Sequence, residues 1–368
     1  MADEDGFITS DYRELHLNLV RGGVGLNFTG HACVLPNGKS MPGMTGVYKD
    51  AHVAKLSELT DEIHAEGGKI FAQIQHCGSQ SLAPDITPVA PSVVANPQFH
   101  RVPEEITPAQ IEETIKAFGE AAGRVKAAGF DGVHVHAGHG YLISEFLSQH
   151  ANKREDEWGG SLENRQRFGL EVFRAMRTEV GADFPITWKL GLEDFVSDGL
   201  ALEEGMATAE LFATEGVDAI EGSAGLMSPI AESARTYAGV TRRRAFEDGL
   251  LHRLHRKPVA EAYFLDWVKE LRSRVACSLI LVGGLRTTQV MEGAVAAGHT
   301  DFVSLARPFI REPDLVRQIE AGRRGLVDCV SCNICLMHDG RDTLRCWRAD
   351  KKELARHAFL RLSGQLNH

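Results

Sequence analysis

Short apolar runs alternate with amphipathic stretches along almost the whole chain, and this alternation narrows the fold more than any other feature. The apolar runs are Val24–Phe28, Lys69–His76, Gly132–Ala137, Pro185–Gly191, Ala219–Gly222, Ser278–Gly283 and Asp301–Ala306. Helix-like segments stand around them: Asp11–Arg21, Ala51–Glu66, Pro108–Ala128, Leu162–Val180, Glu203–Glu215, Val259–Val275, Thr287–Ala297 and Pro313–Gly322. Strands alternating with helices build parallel βαβ units. Their number and regularity fit an α/β fold of the (β/α)8 TIM type better than an open sheet.

Seven strands are visible where closure needs eight, because an open edge leaves backbone groups unpaired. The chain opens on a short acidic loop and a helix with Ser10 as the expected N-cap. The expectation is that the first strand lies upstream of Met1; a start at an internal methionine or a seven-stranded variant are the alternatives. The barrel is expected over residues 1–322, and a cysteine-rich segment and tail over 323–368. Long insertions, Ser79–Glu105, Ser144–Ser161 and Ser223–Gly249, follow strands and so belong at the functional C-terminal face.

Composition excludes several classes. With 368 residues, 43% hydrophobic and 24% charged, a sizeable core can be buried. A net charge of −10 argues against nucleic acid as a partner. No apolar run of about 18 residues calls for a membrane span. Seven cysteines behind an acidic, non-apolar N-terminus point to a reducing compartment, hence the cytoplasm. There is no G-x-G-x-x-G opening a helix and no Walker-type loop, so a nicotinamide would bind transiently over the barrel mouth.

The densest polar cluster is GVHVHAGHGYL, residues 132–142. Alternation along a strand turns Val133 and Val135 outward and His134 and His136 into the barrel. His139 and Tyr141 come just past the strand end, where barrels keep their catalytic groups. Two imidazoles and a phenol can hold a carbonyl oxygen and supply a proton, although any one such histidine could equally be a satisfied core residue. Gln73 and Gln75 share a face of the strand KIFAQIQH, and their amides need polar partners there. Lys189, in the apolar strand ITWKLG, calls for an anion or an electron-rich group, or else an ion pair with a neighbouring strand's carboxylate. Gly283-Gly284 and Ala306-Arg307 end the last two strands, where this fold commonly binds phosphate.

Cys329, Cys332, Cys335 and Cys346 read C-x2-C-x2-C-x10-C. Such spacing suits an iron–sulfur cluster or a structural zinc, with a disulfide pair or buried thiols as the bland alternative. The first implies electron transfer and the second a stapled C-terminus.

The blocks GGVGLNFTG, AEGGKIFAQIQHCG, AAGFDGVHVHAGHGYLISEFLSQHANKREDEWGGSLENRQRF, LVGGLRTT and DFVSLARPFIREPDL together resemble the Old Yellow Enzyme family of FMN-dependent NAD(P)H:flavin oxidoreductases. With CVSCNICL and Cys346, the chain looks like the iron–sulfur branch, that of 2,4-dienoyl-CoA reductase and trimethylamine dehydrogenase. The resemblance implies FMN, a 4Fe–4S cluster on the four cysteines and NAD(P)H as reductant. It implies that His136 and His139 hold the substrate's activating oxygen and that Tyr141 is the proton donor. By the same likeness Gln73 meets the flavin's pyrimidine edge and Lys189 its N1 and C2=O. Gly283, Gly284, Ala306 and Arg307 hold its phosphate. The expected reaction is hydride transfer to an activated alkene such as an enone or enoyl thioester. Two alternatives stand beside it: an amine or alcohol dehydrogenase sending electrons outward, and a non-catalytic barrel with zinc. Ser79 replaces an arginine common in relatives, and the family's first strand and preceding hairpin are absent. Because the sequence ends at His368, soon after the cysteines, an electron-transfer protein or reductase subunit is an expected partner; homo-oligomerisation is left open.

Overall fold

The computed structural model describes residues 2–96, 101–226, 261–332, 334–338, 342–363 and 365. The expected insertion Ser223–Gly249 therefore lies outside the described residues beyond 226. The strands are β1 (Leu26–Phe28), β2 (Ala32–Cys33), β3 (Lys69–Gln75), β4 (Val89–Ala90), β5 (Glu104–Glu105), β6 (Gly132–Ala137), β7 (Ile186–Gly191), β8 (Ala219–Ser223), β9 (Ser278–Leu281) and β10 (Phe302–Val303). All pairings of the main sheet are parallel, in the order β1-β3-β6-β7-β8-β9-β10. Consecutive strands lie side by side with helices returning between them, as right-handed βαβ units require. The result is the curled parallel sheet of a TIM-type fold. Among the described residues its outer members are β1 and β10.

β2 also pairs with β3, Ala32 to Ile74 and Cys33 to Gln75, directly above β1. β1 and β2 are thus two halves of one strand, interrupted at Thr29–His31. Thr29 keeps the β3 ladder satisfied there: its N–H donates to Phe71 O and its Oγ1 accepts from Gln73 N. The interruption frees His31 from the ladder.

An aspartate opens β6, β8 and β10 in the same way. Asp131, Asp218 and Asp301 each accept the backbone N–H of the neighbouring strand's start, at Ile70, Ile186 and Leu279 (2.9, 2.7 and 2.7 Å). Each also meets a cation, Lys69, Arg177 and Arg272 respectively. These carboxylates terminate the N-terminal face and set register, so the opposite face is left for chemistry.

Strands and helices fall close to their expected bounds, with exceptions of local origin. The first helix, Ser10–Arg21, is capped by Thr9 rather than Ser10, whose backbone is already helical; Thr9 accepts from Tyr12 N. β9 and β10 are shorter than expected; after β9, Gly283 and Gly284 adopt positive φ (101° and 69°) and the backbone leaves the ladder. Helix Pro108–Ala127 starts on a Thr107/Gln110 capping box with proline in its first turn. The Pro-rich stretch after β3 is not slack: Arg101 donates to Ser81 O and Ala83 O (both 2.8 Å), and buried Arg154 donates to Pro91 O and Ile106 O. β4 and β5 pair within it.

The C-terminal segment lies along the barrel. Thr287 bridges to Leu326, Val327 N donates to Arg286 O, and Arg286 Nη2 donates to Cys329 O at 2.8 Å. Helix Lys351–Leu362 follows. No helix among the described residues is long and apolar enough to cross a membrane.

Candidate active site

Register brings the expected residues to one place. His136 pairs with Lys189, and Lys189 with Glu221, across β6, β7 and β8. Gln73 pairs with His134 one layer below. Gly283-Gly284 and Ala306-Arg307 follow the paired strands β9 and β10.

The turn after β6 shapes the polar cluster. His139 adopts φ 58° and Gly140 φ 73°, so the chain reverses over two left-handed residues. Left-handed backbone in a non-glycine residue is strained and is held by its surroundings. Here Gln80 Nε2 donates to His139 O at 2.5 Å and His139 N donates to Ala224 O. The turn folds His139 back onto His136, with Nδ1 of the former 3.1 Å from Nε2 of the latter. His139 Nε2 lies 2.8 Å from Ser223 Oγ, and Gly138 N–H points at His136 Nδ1 at 3.5 Å. A neutral imidazole has one donor and one acceptor. Each ring thus has a single N–H, and an oxygen bound in the site would compete for it with the His136–His139 and His139–Ser223 contacts. Burial drives both rings below the ordinary histidine range, His139 to about 3, with Lys189 adding to the effect. Both are therefore neutral hydrogen-bond donors near pH 7, suited to polarising an oxygen rather than protonating one.

Tyr141 caps helix Leu142–Leu147, and its ring lies 4.6 Å from that of His136. Its hydroxyl is 3.4 Å from Nε2 of His31, a residue absent from the sequence expectations. His31 stands just past the apolar run Val24–Phe28, and β1 is too short and too interrupted to reveal where it ends.

Lys189 takes the ion-pair alternative: its Nζ is 2.6 Å from Glu221 Oε1. Glu221 Oε2 also meets His134 Nε2 at 3.1 Å, and His134 Nδ1 meets Thr187 Oγ1 at 2.8 Å. Burial works to raise the Glu221 carboxyl, but Lys189 and His134 outweigh it and hold it down to about 2. His134 thus belongs to the charge network under the site rather than to its mouth. An ammonium has three donors, so the bond to Glu221 does not exhaust Lys189, though it partly balances the charge.

A second polar centre adjoins the first. Glu145, on helix Leu142–Leu147, is 2% exposed and accepts from Ser79 N and Ser79 Oγ. Burial pushes its carboxyl up to about 8 and outweighs those hydrogen bonds. Ser79, Ala90, Asn96, Glu145, His150 and Val196 are among the residues lining a small cleft of about 40 Å³ there.

The residues fit a flavin mononucleotide by donor chemistry. Gln73 is half-buried one layer below His136, a cation lies on β7, and two left-handed glycines precede Arg307 on adjacent strand ends. A Cβ at Gly283 would stand 2.6 Å from the Tyr263 ring, so this cradle tolerates no side chain. The four cysteines are a different case. Cys329, Cys332, Cys335 and Cys346 are all half-buried, and burial together with the neighbouring cysteines pushes Cys335 up to about 12. Yet the expected convergence on one centre is not reached: no group of three or more His, Cys, Asp or Glu stands in metal-holding geometry among the described residues. Thiolates repel one another, and only a cation draws them together. Arg307 acts on Cys335, which sets the segment near the end of β10.

The chain is 37% identical over 340 residues to an NADH oxidase of Thermoanaerobacter brockii, covering 91% of the chain and 49% of that protein. It is 33% identical to an NADPH dehydrogenase of a Geobacillus species, covering 84% and 83%. Among solved structures it is similar to a 2-naphthoyl-CoA reductase in complex with 2-naphthoyl-CoA, with a TM-score of 0.81 and 27% identity, over 97% of this chain and 54% of that one. The chain thus spans about half the length of two of these relatives. With residues 2–325 matched, the chain belongs to the NADH:flavin oxidoreductase / NADH oxidase family.

Proposed function

We propose that this chain is the FMN-binding barrel of an NAD(P)H-dependent reductase of activated alkenes. The observation that carries the reading is the His136–His139–Tyr141 cluster: two buried neutral imidazoles and a phenol within one turn, at the C-terminal end of β6. Bound FMN would supply a hydride at its N5, taken beforehand from NAD(P)H. His136 and His139 hold the carbonyl oxygen of an enone or enoyl thioester and stabilise the charge that gathers on it. Tyr141 delivers a proton to the α-carbon. Lys189 would meet the cofactor's pyrimidine side, with Glu221 fixing the ammonium's position. Gln73 would hold the same edge, and Gly283, Gly284, Ala306 and Arg307 would hold the phosphate.

In the same reading Cys329, Cys332, Cys335 and Cys346 bind a 4Fe–4S cluster, with zinc as the alternative; their spacing and their place beside Arg307 support it. A cluster there would exchange electrons with a partner protein or reductase subunit. The test is anaerobic reconstitution with FMN, iron and sulfide, then stopped-flow reduction. Bleaching by NADPH or NADH followed by reoxidation with 2-cyclohexenone supports the reading. Bleaching by amines or alcohols and not by nicotinamides supports the dehydrogenase alternative. A colourless, zinc-loaded protein overturns the redox assignment.

A further inference from the structure

His31 belongs to no motif, yet the fold delivers it to Tyr141. It stands in the break between β1 and β2, and that break is fixed on both sides. Phe28 pairs with Phe71 below it and Ala32 with Ile74 above it. Gly30 O accepts from the buried Tyr12 hydroxyl at 3.5 Å, and Cys33 N donates to Thr45 O at 2.9 Å. The imidazole between these anchors has little freedom of position. Its ring meets Tyr141 edge-on at 5.4 Å and 73°, and His136 at 6.0 Å and 82°. Its Nε2 lies 3.4 Å from the Tyr141 hydroxyl.

The chemistry of the site leaves a task that the named groups do not perform. Each turnover removes one proton from Tyr141, and that proton must be replaced. His136 faces the same phenol with His139 against it, but burial holds both neutral and His139 is engaged with Ser223. Lys189 is paired with Glu221. His31 is half-buried with its Nδ1 enclosed, so a proton from water would have to reach the ring by its remaining open edge. Imidazole is the side chain suited to such a shuttle near neutral pH.

We propose that His31 orients the Tyr141 phenol and restores its proton after each turnover. The inference rests on Tyr141 being the proton donor. The O–H bond of Tyr141 breaks as its proton goes to the α-carbon. The Nε2–H bond of His31 imidazolium then breaks, and that proton forms the new O–H bond on the phenolate. Neutral His31 takes one proton from water, so the product gains one hydride from the cofactor and one proton that comes ultimately from solvent. The groups facing His31 during this cycle are Tyr141, His136 and His139, with the Tyr12 hydroxyl behind on Gly30.

The test is reoxidation of the NADPH-reduced, FMN-loaded full chain by 2-cyclohexenone from pH 5.5 to 9. In His31→Ala the rate should fall at least tenfold at pH 7, should recover with added imidazole, and should lose the wild-type inflection. Reduction by NADPH should stay within twofold of wild type. His31→Gln, which can donate a hydrogen bond but cannot titrate, should give a slow and flat profile. Wild-type rates and profiles in both variants, or a slow rate in His31→Ala that imidazole does not restore, overturn the proposal. Tyr141→Phe in the same assay separates the two layers. If Tyr141→Phe slows reoxidation while His31→Ala does not, only the shuttle falls; if Tyr141→Phe reoxidises normally, the donor reading beneath it falls as well.

Discussion

Glu145 offers a prediction that depends on the fold and not on the cofactor. Its carboxyl is buried against Ser79, and lies at about 8 against an ordinary value of 4.5. Between those values the folded protein keeps a proton that the unfolded chain has shed. Stability from this group is therefore full below pH 4.5 and declines as pH rises to about 8. The linkage is worth up to roughly 5 kcal/mol over that window, as an upper bound. Glu145→Gln keeps the acceptor oxygen for Ser79 N and Oγ and places an uncharged amide where the second oxygen stands. Urea unfolding of wild type and Glu145→Gln at half-unit steps from about pH 5 to 9 should show similar midpoints at the acid end. The variant should gain progressively, by at least about 1 kcal/mol near the alkaline end, since even a fraction of the bound is measurable. Parallel stability curves across the whole range would show that Glu145 is ionised when folded, and would refute the reasoning.

Other consequences follow from the same network of buried groups. Glu221 is held down to about 2, so its contribution is present above pH 4.5 and is lost as pH falls towards 2; Glu221→Gln should abolish that acid-limb dependence. The same variant strips Lys189 of its buried counter-charge and should cost about 3–5 kcal/mol in denaturant unfolding, while the double variant with Lys189→Met should recover much of it. Gly283→Ala forces a Cβ to within 2.6 Å of Tyr263 at φ 101°; fluorescence titration should show FMN affinity falling at least tenfold while far-UV circular dichroism is unchanged.

Much of the architecture is legible in the sequence because each βαβ unit carries its own signals. Leu162–Val180 can be read to the residue, since Ser161 caps its start and Gly181 follows its end. The glycine pair ending β9 and the histidine-rich end of β6 stand out because the rule linking strand ends to barrel chemistry applies locally. What escapes such reading is non-local. Glu221 sits in a run of small residues, and only the β7–β8 register aims it at Lys189. His31 lies in an interrupted strand of three and two residues, too short for any periodicity. Glu145 looks like one helix residue among many until Ser79, 66 positions earlier, closes over it. The cysteine spacing is plain, but spacing fixes neither a metal's presence nor its identity.

The turn after β6 carries the central claim. The most direct measurement is the pair of half-reactions in wild type and Tyr141→Phe, followed by flavin absorbance under anaerobic conditions. Removing one hydroxyl leaves the ring packed on His136 and takes away only the proton. Reduction by NADPH should be unchanged, and reoxidation by 2-cyclohexenone should slow at least about a hundredfold, as expected for loss of a general acid. Wild-type rates in both half-reactions, or equal loss in both, would contradict the assignment of Tyr141 as donor.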